Sequence, residues 1–137
     1  MAFNLTITTP ERIVLEDVVD EVVVPTTSGE IAVLTNHVDL LTAVKPGELT
    51  IKKGNKTSSF AITGGFMEVS KNNVSILADY AIRAEDIEIA KAQEAKERAE
   101  NAMKEKTSQR DFAEAEAQLR RSLVELEIGK RRRRSVS

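Results

Sequence analysis

Apolar and polar residues alternate in short runs over the first 83 positions of the chain. Phe3, Leu5 and Ile7 alternate with polar residues, which is the two-residue period of a strand with one buried face. More short apolar runs follow, separated by turn residues, at 13–15, 18–24, 31–34, 40–44, 49–51, 60–62, 66–69 and 74–77. About nine short strands with turn signals every 8 to 12 residues or so are typical of a β-sandwich or barrel.

The stretch from Gly29 to Gly47 shows this pattern most clearly. Two apolar runs flank the polar corner 35–37, and Pro46 and Gly47 close the second run. Two buried strands around one tight corner are therefore predicted. Proline fixes φ and glycine can adopt a positive φ, so we expect the chain to reverse at Pro46 and Gly47 before the next strand.

The pattern changes at Ala84, where good helix formers replace β-branched residues. Alanines 92, 95, 99 and 102 share one helical face, and Phe112, Ala115, Leu119, Leu123 and Leu126 share another. Between the two, Ser108 and Asp111 have the spacing of a capping box. The sequence therefore predicts a β domain over residues 1–83, followed over residues 84–137 by a helical hairpin with arms at about 87–104 and 109–128.

Charge is nearly balanced overall, with 20 Lys and Arg against 22 Asp and Glu, but five cations stand together at positions 130–134. On sequence alone this run favours a solvated, frayed tail after Gly129. A docking strip for an acidic partner surface is the sharper alternative.

Enzymatic chemistry finds little support in these residues. The chain has no Cys and one histidine, His37, and the polar residues around His37 lack the spacing of a metal site. With no Trp, one Tyr and no basic stripe before Lys130, nucleic acid is not an expected ligand. No apolar run approaches the roughly 18 residues of a membrane span, and the charged first twenty residues do not resemble a signal peptide. A non-catalytic interaction protein without a cofactor is predicted.

Several separated motifs resemble the epsilon subunit of the F-type rotary ATP synthase. They are Thr-Ser-Gly-Glu-Ile at 27–31, His37 followed by Leu-Leu-Thr-Ala-Val-Lys-Pro-Gly at 40–47, Gly-Gly-Phe-Met-Glu-Val at 64–69, Val-Ser-Ile-Leu-Ala-Asp at 74–79 and Glu-Ala-Lys-Glu-Arg-Ala-Glu at 94–100. The resemblance runs from about Leu5 to Leu126. Two departures are Ala32, where the family often has a second glycine, and Thr35-Asn36, where it usually has Pro-Gly.

The resemblance implies a β-sandwich of about ten strands followed by a C-terminal antiparallel two-helix hairpin. It implies a place in the central stalk, where the sandwich binds the gamma subunit and its end loops rest on the c-ring. The loops that match these contacts contain Ser28, Gly29 and Glu30, and Asn36 and His37. It also implies a peripheral location on the cytoplasmic face of a bacterial plasma membrane, or on the stromal face of the thylakoid membrane in a plastid.

In this family the hairpin can extend toward the catalytic alpha and beta subunits and brake ATP hydrolysis. The cations at the corresponding end are the candidate regulatory residues: Arg120, Arg121, Lys130, Arg131, Arg132, Arg133 and Arg134.

Some bacterial members bind ATP in the folded form through an Ile-Asp-x-x-Arg-Ala motif. Here that segment carries Ile87, Glu88, Lys91 and Ala92, and Lys91 lacks the planar fork of arginine, so weak or absent nucleotide binding is predicted. Two other functions stay open at this point, a free-standing β-sandwich adaptor with a helical interaction tail and a regulatory nucleotide sensor.

Overall fold

The computed structural model describes residues 2–105 and 108–136, the last four of them by their backbone alone. The chain divides into two compact units, Met1–Arg83 and Ala84–Ser137. The first unit contains ten strands and the second contains two helices. The predicted fold class, a β-sandwich followed by a two-helix hairpin, is confirmed.

The strands are short, and all but one of their pairings are antiparallel. Their bounds are β1 Phe3–Thr8, β2 Ile13–Val19, β3 Glu21–Thr26, β4 Gly29–Leu34, β5 Leu40–Val44, β6 Gly47–Lys53, β7 Lys56–Ile62, β8 Gly65–Ser70, β9 Asn73–Ala78 and β10 Ala81–Arg83. They follow the order β10-β7-β6-β3-β5-β8-β9-β1-β2, with β4 paired to β3. The parallel pair is β1 with β9.

Strand β3 connects the two layers of the sandwich, because its two ends pair with different strands. Its first residues, Glu21 to Val23, pair with β6, whereas Thr26 pairs with Val44 of β5. One layer therefore contains β10, β7, β6, β3 and β4, and the other contains β5, β8, β9, β1 and β2. Alternate side chains from both layers fill the core, including Leu5, Ile7, Val22, Val24, Leu49, Phe60, Ile62, Met67 and Ile76.

The predicted reversal after β5 is present, but not through a positive φ at Gly47. Gly47 does not have a positive φ. The glycines that do are Gly29, Gly54, Gly64 and Gly65. A Cβ atom at Gly47 would instead lie 3.2 Å from Pro25 Cγ, which is closer than carbon atoms ordinarily pack. Glycine therefore avoids a tight contact with Pro25 at this position, and the expectation based on backbone freedom was wrong.

The helical unit begins with a single 3-10 turn, Ala84–Asp86, and continues as α1, Ile89–Lys104, and α2, Gln109–Val136. The predicted start of α2 is confirmed. Its N-cap is Ser108, whose Oγ accepts a hydrogen bond from the Asp111 amide at 3.1 Å, and this satisfies one of the unpaired donors of the first turn.

The predicted end of α2 was wrong, because the helix passes through Gly129 and runs to Val136. A rise of about 1.5 Å per residue carries these last seven residues about 10 Å beyond Gly129. The basic run is therefore helical backbone and not a frayed tail. The side chains of Arg133 and Arg134 lie outside the described residues.

The packed face of α2 also differs from the prediction. Phe112 and Leu123 are exposed, whereas Ala115, Ser122 and Leu126 are buried. On α1, Ala92, Ala95 and Ala99 are buried as predicted. Small residues seven positions apart on α2, at 115, 122 and 129, therefore share the buried face. Two helices with small side chains at their contact can approach closely, which leaves no room there for a large residue such as Phe112.

Candidate functional site

The loop between β3 and β4 carries Ser28, Gly29 and Glu30, all exposed. It is held by Thr26, a buried residue that the sequence did not single out. The Thr26 hydroxyl donates to the Gly29 carbonyl oxygen at 2.6 Å and accepts from the Ser28 amide at 3.1 Å. This threonine-centred turn gives the loop one defined shape.

The corner between β4 and β5 carries Asn36 and His37, and the predicted tight turn is confirmed. Asn36 has φ of 64°, a left-handed conformation that asparagine tolerates better than most residues. The His37 amide donates to the Leu34 carbonyl at 3.2 Å and closes the turn. Asparagine thus provides the positive φ that this corner requires.

Asn36 also links this corner to the turn between β8 and β9. Its amide donates to Asn72 Oδ1 at 2.7 Å, and Asn72 Nδ2 donates to Asn36 Oδ1 at 3.2 Å. Lys71 and Asn72 have φ of 50° and 61°, as in the tight two-residue turns that connect antiparallel strands. The two turns therefore support each other at one end of the sandwich.

The structure does not bring the two predicted contact loops together. Gly29 is the first residue of β4 and Leu34 is the last, so the Ser28 loop and the Asn36 corner lie at opposite ends of that strand. Six residues in a strand span about 20 Å. A single flat contact at one end of the sandwich cannot include both.

An exposed apolar face that the sequence reasoning missed lies on the layer of β5, β8 and β9. Its members are Leu41, Phe66 and Leu77, which are 70%, 59% and 61% exposed. Phe66 is paired directly with Leu77 and with Ala43, two residues after Leu41. Met67 and Ile76, the neighbours of Phe66 and Leu77 along their strands, point into the core. We call these three exposed residues the outer apolar patch.

A strand pattern alone could have revealed this patch. Phe66 and Leu77 stand at positions that alternate with core residues, and a polar residue is usual on a solvated face. Exposed apolar side chains that cluster, unlike single ones, indicate an interaction surface.

The candidate nucleotide residues lie at the start of the helical unit. Lys91 Nζ is 3.2 Å from Glu88 Oε2, and both side chains are largely exposed. Ala92 is buried and Ile87 is half-buried. The two charged residues of the motif therefore form an ion pair with each other.

The candidate regulatory cations occupy the last two-thirds of α2. Arg120 lies 3.1 Å from Glu116 and Arg131 lies 2.8 Å from Glu127, each one turn apart. These two ion pairs and two apolar residues form one exposed stripe along the helix. The stripe consists of Phe112, Glu116, Arg120, Leu123, Glu127 and Arg131. We call it the α2 stripe. Lys130 and Arg132 are exposed beside it, and Arg121 is half-buried.

One groove of about 830 Å³ opens at the edge of the sandwich beside β2, β6 and β7. Asp17 lies in it, and its carboxyl accepts from Lys53 Nζ at 2.9 and 3.1 Å. This hydrogen bond, with a second one from the Val18 amide, holds the pKa of Asp17 below its usual value. A carboxylate bound to a lysine in this way stabilises the edge of a sheet and does not resemble a catalytic acid or base.

Within residues 2–105 and 108–136, no group of three or more His, Asp or Glu side chains is arranged to hold a metal ion. Over the same residues, neither helix combines the length and apolar character that crossing a membrane requires.

Comparison with known proteins shows two family matches that follow one another along the chain. Residues 2–84 match the beta-sandwich domain of the ATP synthase delta/epsilon chain. Residues 85–129 match the long alpha-helix domain of the same family.

Curated relatives of similar length share much of the sequence. An ATP synthase epsilon chain from Herpetosiphon aurantiacus is 45% identical over 133 residues, which cover 97% of this chain and 98% of the relative. One from Dehalococcoides mccartyi is 47% identical over 132 residues, covering 96% and 94%.

Two solved structures have a similar fold. One is the Euglena gracilis mitochondrial ATP synthase, OSCP/F1/c-ring, in which a chain aligns with a TM-score of 0.67 and 25% identity over 99% of this chain and 82% of its own length. In the Tetrahymena thermophila mitochondrial ATP synthase, a chain of 15% identity has the same fold, with a TM-score of 0.57 over 92% and 95%. On the evidence of both family matches and of relatives along nearly its full length, this chain belongs to the delta/epsilon chain family of ATP synthase.

Proposed function

We propose that this protein is a non-catalytic central-stalk subunit of an F-type ATP synthase, which couples the gamma subunit to the c-ring. Relatives named ATP synthase epsilon chain that align over nearly the whole chain support this role. So does the similarity to a chain in a solved assembly that contains F1 and the c-ring. The observation that carries the proposal is the outer apolar patch, a cluster of exposed apolar side chains suited to a protein partner.

The outer apolar patch is the surface that binds gamma in this proposal. Val38 is exposed in the segment between His37 and β5, and Leu41 of the patch lies three residues further on. Leu41 is the patch residue nearest to the Asn36 corner, whereas Phe66 and Leu77 lie toward the other end of β8 and β9. Burying such apolar side chains against a partner contributes about 25 cal/mol per Å² of area removed from water.

The Ser28 loop, at the other end of β4, serves the c-ring. Its exposed residues are small or polar, which suits the polar rim of an interface. Because the loop is held by two hydrogen bonds from Thr26, it can keep its shape as the stalk turns. Two partners on different surfaces of the sandwich fit a subunit that transmits rotation between them.

The helical hairpin is the regulatory part of the proposed subunit. The α2 stripe combines exposed apolar residues with two arginine–glutamate pairs, and the helix continues past Gly129 with further cations. A partner surface that is acidic and partly apolar, as expected on the alpha and beta subunits, would match it. Docking of α2 there would brake ATP hydrolysis.

The subunit would lie on the cytoplasmic face of a bacterial plasma membrane, held there through the c-ring. The relatives described above come from bacteria, which favours this setting over a plastid. No cofactor is part of the proposed activity.

Capture of the gamma subunit tests the proposal. Tagged protein carrying Phe66→Asp and Leu77→Asp should lose at least about tenfold in affinity for purified gamma, because two desolvated charges would replace apolar contacts. Both residues are exposed, so the sandwich should still fold, which circular dichroism would check.

The matched control is Val18→Asp. Val18 is an exposed strand residue of the same layer, paired with Asn4 and outside the patch. Gamma binding that survives the double change, or that is lost equally in the control, would contradict the proposed surface.

A further inference from the structure

The inner face of the β6–β7 hairpin continues beyond the part that the core covers. Leu49 and Phe60 are cross-strand partners on this face and are fully buried. Side chains two residues apart in a strand share a face, so the next two pairs along the hairpin lie on the same side. These pairs are Ile51 with Ser58 and Lys53 with Lys56. Ile51 is buried and the other three residues are exposed.

Arg83 extends this uncovered face on the other side of β7. It pairs with Phe60 across β10 and β7, and its guanidinium carbon lies 5.0 Å from the centre of the Phe60 ring. A cation over an aromatic ring at this distance is attracted to it, which orients the side chain. Lys53, Lys56 and Arg83 all line the groove of about 830 Å³. We call these three residues the cationic wall.

The groove is open because the opposite layer of the sandwich ends one strand short. β2 is the last strand of that layer, and among the described strands it pairs with β1 alone. It lies opposite β6, since Asp17 of β2 contacts Lys53 of β6. One further strand beside β2 would lie opposite β7 and cover the groove. The edge of β2 offers the backbone donors and acceptors that such a strand needs.

The groove already binds one carboxylate. Asp17 Oδ1 accepts hydrogen bonds from Lys53 Nζ at 2.9 Å and from the Val18 amide at 2.8 Å. These donors are a cation of the opposite layer and a backbone amide of β2, and carboxylates of an added strand would meet donors of the same two kinds. Among the described residues that line the groove, Asp17 is the single carboxylate and stands against three cations.

We propose that this groove binds an extended acidic segment of a partner protein, which pairs with β2 as an additional strand and directs its carboxylates toward the cationic wall. Main-chain hydrogen bonds to β2 provide affinity, and the cationic wall selects acidic side chains. Leu15, in the groove and half-buried, is covered by the added strand. All of these residues lie in the first unit and none belongs to the outer apolar patch, so the site is independent of gamma binding.

Fluorescence anisotropy of a labelled peptide with the full chain tests the proposal. The probe alternates Glu and Val over about seven residues, the length of β2, so that one face carries the carboxylates. We expect a dissociation constant of about 0.1 mM. A peptide that alternates Lys and Val should bind at least about tenfold more weakly. Methylation of two adjacent backbone amides keeps every side chain but removes a donor to β2, and should weaken binding by about the same factor.

Two substitutions should change the affinity for the acidic peptide in opposite directions. Lys56→Gln removes one cation of the cationic wall and should weaken binding about fivefold. Asp17→Asn releases Lys53 from its own carboxylate and should strengthen binding about threefold, which a loss of stability cannot produce. Lys52→Gln is the matched control, because Lys52 lies on the opposite face of β6, where it pairs with Glu21. It should leave the affinity unchanged.

Hydrogen exchange measured by NMR locates the bound peptide. The amides of β2 should exchange more slowly when the peptide is bound, and those of β8 should not. Absence of binding at about 1 mM peptide, equal binding of the methylated peptide, or equal losses in Lys56→Gln and Lys52→Gln would overturn the proposal. Tripolyphosphate that binds as tightly as the peptide, without slower exchange in β2, would show a general anion site and equally exclude strand addition. Capture of gamma should be the same in all three variants.

Discussion

Single polar side chains determine the shape of the two predicted contact loops. The Thr26 hydroxyl forms two hydrogen bonds with the backbone of the Ser28 loop. Asn72, in the neighbouring turn, forms two hydrogen bonds with Asn36. Both supporting residues lie outside the loops they hold. A loop that must present the same surface to a partner needs such support, because an unsupported loop loses conformational entropy on binding.

Replacing Thr26 by valine should lower the free energy of unfolding by about 1 to 2 kcal/mol. The shape of the side chain is kept, but both hydrogen bonds of its buried hydroxyl are lost. Thermal or urea unfolding measures the change. The adjacent Thr27 is exposed, so Thr27→Val should stay within about 0.5 kcal/mol of the original protein. Equal effects of the two substitutions would show that the hydroxyl of Thr26 is not what supports the loop.

At the residue scale, we expect Lys91 and Glu88 to decide whether a nucleotide binds. We expect weak or absent ATP binding, because Lys91 already pairs with Glu88 at 3.2 Å and an ammonium cannot form the bidentate contact of a guanidinium with phosphate. Isothermal calorimetry on the purified protein measures this directly.

The combined change Glu88→Asp and Lys91→Arg restores the residues of the resembling motif and should strengthen ATP binding by about tenfold or more. Lys91→Ala is its negative counterpart. Saturable binding by the unsubstituted protein at millimolar ATP, abolished in Lys91→Ala, would show that lysine suffices.

At the scale of elements, α2 is the part of the molecule whose length and exposed face matter most. The helix extends beyond its predicted end. Small residues lie on its buried face, whereas Phe112 and Leu123 are exposed. A closely packed hairpin with an exposed stripe of apolar and charged residues can offer that stripe to a partner. The exposed ion pairs within the stripe contribute little individually, about 0.2 to 1 kcal/mol each.

Deleting residues 130–137 should raise the ATPase activity of the assembled enzyme about two- to fivefold, because several weak charge contacts are removed together. Deleting 108–137 should raise it further, since the apolar part of the stripe is lost as well. The effect of the shorter deletion should diminish as salt screens the charges. Unchanged hydrolysis after both deletions, at low and at high salt, would refute a regulatory role for α2.

At the scale of the whole molecule, the two compact units have different roles in the proposed function. The sandwich binds the partners and the helical hairpin regulates ATP hydrolysis. The first unit has a continuous core that includes both layers of the sandwich. Every strand of the sheet lies before Ala84, and the outer apolar patch lies in this unit too. In the proposed function, the sandwich therefore contains the surface that binds gamma.

A fragment of residues 1–83 should fold alone and capture gamma with an affinity within about threefold of the full chain. Size-exclusion chromatography and a pull-down assay on the fragment measure these outcomes. An insoluble fragment would show that the helical unit contributes to the stability of the sandwich. A soluble fragment that does not retain gamma would show that the helical unit contributes to the interface. Residues 1–105, which add α1, provide the intermediate length for comparison.

Much of the architecture could be derived from local patterns. The two-residue period of Phe3, Leu5 and Ile7 and the change to helical spacing after Ala84 separate the two units. Ser108 marks the start of α2 because N-capping involves only residues within one turn. These features depend only on residues that are close together in the chain. The prediction of function came from the resemblance to a known family.

Contacts between distant residues were decided only by the tertiary structure. The buried face of α2, the tight packing at Gly47 and Gly129, and the separation of the Ser28 loop from the Asn36 corner all depend on such contacts. Helical spacing places Phe112 and Ala115 on nearly the same face, and the close approach of α1 decides which of them fits. Sequence determines which residues can form each element, because propensity and period are local. The structure decides which side of each element is covered, because burial is a property of the neighbours that folding brings together.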